Sequence, residues 1–177
     1  MVRSEDPYTV AARKYVPKTT KFLFVAEAPP LDPCRYFYYE HVTEGDWLWI
    51  ALMKALYPAE WTDTKTERGR KESWLLRFRN DQFRLIDGVK VPINGSSQAR
   101  IRLIEADSAE LLAEIRDIGP RAIVLIKVTV HKALYQKLKD AHLLVVNAKP
   151  LPFPSSGRQK EFHKNFRSFL KAHLELR

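Results

Sequence analysis

The sequence predicts an α/β fold, a three-layer α/β/α sandwich around a mostly parallel central sheet of about four strands. Short, continuously apolar runs recur at 21–26, 122–126 and 143–146, unbroken by alternating polar residues, as in strands buried on both faces. Stretches with helical spacing of apolar residues lie between and after these runs. That alternation is the pattern of a parallel sheet covered by helices on both sides.

Taken in order, residues 1–20 are polar, carry Pro7 and Pro17, and read as an N-terminal arm or short helix ahead of one domain spanning 21–177. Lys21-Phe-Leu-Phe-Val-Ala26 is the first strand, stopped at Pro29 and Pro30. Helices are expected at 46–56, 67–79, 108–118 with Ser108 as N-cap, 129–138 and 159–174. Residues 83–93 suggest a hairpin or strand pair turning at Asp87-Gly88, because Asp-Gly readily adopts the positive φ angles of a tight turn. The 177 residues, 45% hydrophobic and 29% charged, match one domain with a core of its own rather than two.

Thirty Lys and Arg against 21 Asp and Glu give a net charge of +9, which favours an anionic partner, most simply nucleic acid. The excess is uneven: from Lys127 onward, eleven Lys and Arg face only Asp140, Glu161 and Glu175. Cys34 is the single cysteine, which excludes an intramolecular disulfide framework and any site built on several thiolates. The five histidines show no metal-ligand spacing, and His41 alone lies close to the aromatic cluster described below. No metal or organic cofactor is implied. No apolar run reaches the roughly 18 to 20 residues of a membrane span, and residues 1–7 lack the apolar core of a secretory signal. The expectation is a cytoplasmic monomer with no membrane partner, in a bacterium associated with the nucleoid.

In parallel sheets, ligands sit beyond the carboxyl ends of the strands, so the loops there carry the candidate chemistry. Val25-Ala-Glu-Ala-Pro-Pro30 places Glu27 where a carboxylate can hold a water, with Arg35-Tyr-Phe-Tyr-Tyr39 close behind to supply a ring that stacks on a planar ligand. The same prolines can instead do no more than end the strand, with the rings in the core. Asp87 is either a ligand-facing carboxylate or the turn residue of the hairpin. Asn94 closes the loop that Asp87 opens, and Lys127 lies in a further loop of this set. Asn147-Ala-Lys-Pro-Leu-Pro-Phe-Pro-Ser-Ser-Gly-Arg158 is stiffened by its prolines and presents Phe153 between Lys149 and Arg158, as a wedge between bases requires; the alternative is a surface loop with Phe153 folded inward. Ser155 and Ser156 are candidates for phosphate contacts or helix caps.

In order and spacing, these features resemble the uracil-DNA glycosylase superfamily over roughly residues 21–170. Glu27-Ala28-Pro29 is similar to the water-activating motif of its thermostable, iron–sulfur-containing branch. Phe37 matches the ring that stacks on flipped uracil, and residues 45–56 the helix that follows. Asp87 matches the strand end where the family places an Asn that reads the base, and residues 120–125 a later buried strand. Lys149-Pro-Leu-Pro-Phe153 matches the intercalation loop. Four departures stand out: Cys34 alone cannot hold the cluster, Ala26 and Pro30 replace glycines, Lys149 replaces the catalytic His, and Asp87 replaces Asn.

The resemblance implies a base-excision-repair hydrolase that flips uracil, or a related deaminated base, out of DNA and cleaves the N-glycosidic bond, with uracil-containing or abasic DNA as its partner. It assigns catalysis to Glu27, Asp87 and Lys149, with either carboxylate orienting water. It assigns base binding to Ala28, Phe37 and Asn94, and DNA contact to Phe153, Ser155 and Arg158. The alternatives are a weakly catalytic or non-catalytic protein that binds uracil or abasic DNA, and a lyase using Lys149 as a Schiff-base nucleophile.

Overall fold

The computed structural model describes residues 6–41, 46–155 and 157–173. Of the expectations above, the first five residues of the arm, Gly45, Ser156 and the last residue of the final helix, 174, lie outside these. Asp6 and Pro7 start α1 (Pro7–Arg13), the Asp6 carboxylate accepting the Tyr8 and Thr9 amides while proline occupies the first turn, where no amide is needed. The arm is therefore a helix, and Tyr8, Ala11 and Ala12 pack it onto the core.

Strand β1 (Phe22–Ala26) is central, buried at every position, and paired in parallel on both sides. After it come α2 (Trp47–Leu56), α3 (Lys65–Gly69) and α4 (Lys71–Asn80). The single helix expected at 67–79 is thus two, broken at Arg70, where ψ turns positive; past the break Lys71 is fully buried against Asp46.

Strand β2 (Phe83–Asp87) pairs with β1 from Phe22↔Phe83 to Ala26↔Asp87. The hairpin expected at 83–93 does not form. Instead the chain runs on along β1, the Gly88 amide donating to the Ala26 carbonyl at 2.9 Å and the Val89 amide to the Glu27 carbonyl at 3.0 Å. Gly88 serves this close approach rather than a turn, since a Cβ there would meet the Ala26 carbonyl oxygen at 3.3 Å.

Helix α5 (Ser97–Ala106), absent from the sequence reading, is capped by Ser96 and buries Ile101 and Ile104. Helix α6 (Ser108–Ile118) follows, ending at Gly119 in the left-handed conformation. Its N-cap is Asp107 and not Ser108, whose hydroxyl donates to the Glu105 carbonyl at 2.6 Å. Strand β3 (Ala122–Leu125), α7 (Val128–Asp140) and α8 (Gln159–Ala172) complete the order.

The sheet has three strands, in order β2-β1-β3 and all parallel, rather than four. The apolar run at 143–146 does lie along β3, with the Ile123 amide donating to Leu144 and the Val146 amide to Ile123. It forms only a bridge because the Asn147 side chain takes over the ladder: its Oδ1 accepts the Leu125 amide at 2.9 Å and its Nδ2 donates to the Leu125 carbonyl at 3.0 Å. On the opposite edge, the Tyr38 hydroxyl accepts the Leu85 amide at 2.7 Å and donates to the Leu85 carbonyl at 3.0 Å.

Successive β1 side chains enter opposite cores. Phe22, Phe24 and Ala26 join an aromatic core with α2, α4 and α8, while Leu23 and Val25 join an aliphatic one with α5, α6 and α7. These are the three layers expected from the apolar runs. No helix among the described residues is long and apolar enough to cross a membrane.

Candidate active site at the carboxyl ends of the strands

Because all three strands run the same way, their carboxyl ends open on one side, and a cavity of about 280 Å³ lies there. Glu27, Ala28, Phe37, Asp87, Asn94 and Phe153 all line it, although they come from four separate segments. The β1–β2 register sets Asp87 directly beside Ala26, so both carboxylates enter from adjacent strand ends.

Glu27 is 11% exposed and held by three donors. Thr129 Oγ1 donates to Oε1 at 2.5 Å, Arg100 Nη1 lies 3.3 Å from Oε2, and Lys127 Nζ pairs with the same Oε2. Lys127 joins β3 to α7 at φ 87°, ψ 144°, a backbone conformation that side chains rarely adopt and that costs of order 1 to 3 kcal/mol. Its ammonium sits between Glu27 and the Phe153 ring, 5.7 Å from the ring centroid. Arg100 comes from the unforeseen α5, and its Nε is buried with no partner among the described residues.

Asp87 differs in character. Burial pushes its carboxyl up to about 7, against the attraction of Lys90 and with a small addition from Glu114. Tyr36 and Phe37 form an aromatic wall, but both rings are buried in the aromatic core, Phe37 at 3% exposure and edge-on to Tyr38 and Phe78. The core alternative therefore describes them as well as the ligand-stacking one. The wall is fixed from behind by Lys71 Nζ, which donates to the Tyr36 carbonyl at 3.2 Å and pairs with Asp46, a residue of the cavity lining. Burial pushes Asp46 up and Lys71 down, each opposed by the other's charge.

The chain matches no family model and no curated protein. What the site can do therefore rests on its own geometry.

Not every candidate reaches the cavity. Lys149 is exposed and outside the lining; the cations inside are Lys127 and Arg35. The Asn147 side chain turns the chain away at Leu125 and also donates to the Lys149 carbonyl at 3.3 Å. Phe153 is half-buried and packed on the aromatic core, not a free tip. Arg158 is tied to Glu161 through Nε at 3.0 Å and Nη2 at 2.8 Å, and Ser155 is half-buried with its amide on the Phe153 carbonyl at 2.9 Å. His41 is exposed and also outside the lining. Among the described residues, no group of three or more His, Cys, Asp or Glu is placed to hold a metal ion.

The sequence reading gave no chemical role to Lys127 and missed Arg100, Thr129 and Trp47 in or around the cavity. Only Lys127 carried a signal, its place directly after a buried strand. Arg100 and Thr129 sit on helices and acquire meaning only through the fold.

Proposed function

We propose that the cavity receives a pyrimidine extruded from DNA, uracil or a related deaminated base, and that the protein hydrolyses its N-glycosidic bond. The observation that carries this reading is the convergence of Glu27, Phe37, Asp87, Asn94 and Phe153 on one strand-end cavity of base-accommodating size. The base packs against the wall made by Tyr36 and Phe37, and the Asn94 amide, with both a donor and an acceptor, reads its edge. Water attacks C1′ as the C1′–N bond breaks; the bonding electrons leave with the pyrimidine and the water's proton passes to Asp87, whose pKa near 7 suits a general base. Lys127, in the lining, counters the charge developing on the departing ring; Glu27, which Arg100 also contacts, holds Lys127 in place.

The test is excision from a uracil-containing oligonucleotide. Asp87→Ala is expected to slow it by on the order of a hundredfold, and Asp87→Asn by nearly as much, since the amide cannot accept the proton. Parent-like rates in both folded variants remove Asp87 from the chemistry. One feature favours binding without efficient turnover as a second reading: Glu27, the other candidate base, is engaged by three donors. Tight binding of uracil or abasic DNA with no cleavage decides for it.

A further inference from the structure

Trp47 differs from the other three tryptophans. Trp49, Trp61 and Trp74 are 0, 6 and 8% exposed in the aromatic core, whereas Trp47, the first residue of α2, is 42% exposed. It nevertheless lines the strand-end cavity, as does Leu31, 68% exposed on the loop after β1. Two large apolar side chains thus stand in water around the mouth of a cavity whose wall already contains an aromatic pair.

The charges around them suit a polyanion. Glu27 is matched by Lys127 and Arg100, and Asp46 by Lys71, so two of the lining carboxylates are already neutralised. Glu27 and Asp46 thus face three cations between them, and burial pushes the third lining carboxylate, Asp87, toward its neutral form. Arg35 adds a further cation to the lining, and the whole chain carries +9. An apolar ring beside cations is the usual platform for an unpaired base, because every base offers a π-face while phosphates need positive charge.

We propose that Trp47 and Leu31 hold the nucleotide next to the one in the cavity, Trp47 by stacking on its base, and that this face takes single-stranded DNA. The inference rests on the base-pocket reading above and goes beyond it by naming the form of the substrate. In a duplex, the neighbouring base is stacked on its own strand and offers no free face to the indole. In a single strand it does.

The probe is a labelled single-stranded DNA of about 15 nucleotides that contains no uracil, a length within the span of known single-strand sites. Binding is read by anisotropy and by the tryptophan emission, in which Trp47 is the solvent-accessible contributor. Saturating DNA is expected to quench the iodide-accessible part of the emission. Trp47→Ala is expected to weaken single-strand binding by about 5- to 150-fold, the equivalent of one stacked base, with Trp47→Phe retaining most of the affinity and duplex binding changing little.

Unchanged single-strand affinity in Trp47→Ala, or emission that ignores DNA while anisotropy reports binding, overturns the proposal. So does a preference for RNA of the same sequence. A blue shift that grows with protein concentration alone, accompanied by a dimer in sedimentation, assigns the face to a second copy instead. Uracil excision is measured separately on the same proteins. Excision with no Trp47 effect refutes only this inference, whereas single-strand binding with no excision refutes only the glycosylase.

Discussion

Asp87 couples proton binding to stability and, in the proposed reaction, to activity with the opposite sign. Its native pKa of about 7 lies above the ordinary carboxyl value of 3.8, so between those values the folded chain binds more protons than the unfolded one. Stability contributed by the protonated form is therefore lost as pH rises from about 4 through 7, and above 7 the buried charge is a constant burden. At about 1.4 kcal/mol per pKa unit, Asp87→Asn is expected to stabilise the protein by a few kcal/mol at pH 8 and by little at pH 4. Denaturant melts at the two pH values check this; equal gains at both would place the titration elsewhere. Excision is expected to move the other way, rising toward a plateau as pH passes 7, because only the ionised carboxylate accepts the water's proton. A rate that falls through the same range would recast neutral Asp87 as a donor to the base.

At the scale of elements, the parts legible in the sequence were those whose burial is written into consecutive residues. β1 and β3 are continuously apolar because helices cover both faces, and α2, α6, α7 and α8 follow from the spacing of their apolar residues. Residues 83–87 were legible as a strand but not in their pairing, since Asp-Gly serves a close parallel approach as readily as a turn. The run at 143–146 reads as a strand as well as any other. What truncates it is the side chain of Asn147, which local sequence cannot reveal. In the site, the strand-end carboxylates are legible, whereas the resemblance puts a cation at Lys149, in the place of the family's His, and the strained backbone that places Lys127 leaves no mark in composition. Asn147 is completely buried, so Asn147→Ala leaves the Leu125 amide and carbonyl without these partners; a loss of about 2 to 4 kcal/mol is expected in thermal or chemical melts. A loss below about 0.5 kcal/mol, the usual range for surface substitutions, would mean that water replaces the amide at no cost.

For the whole molecule, the charge excess makes salt the decisive variable. If Lys and Arg neutralise several phosphates, DNA affinity is expected to fall by orders of magnitude between about 50 and 200 mM salt, because each contact releases condensed counterions. A binding constant that stays flat over this range would remove DNA from the reading. The two side chains that occupy the sheet's outer main-chain groups, Tyr38 at Leu85 and Asn147 at Leu125, bear on how the protein behaves in a crowded solution. Three parallel strands left bare on both flanks would be a template for recruiting extended peptide from neighbouring chains. With a phenol on one flank and a carboxamide on the other, the outward main-chain groups of Leu85 and Leu125 are taken. Together with the 143–146 run, which takes the Ile123 amide and carbonyl, these two residues leave fewer main-chain groups open to fibril-like growth.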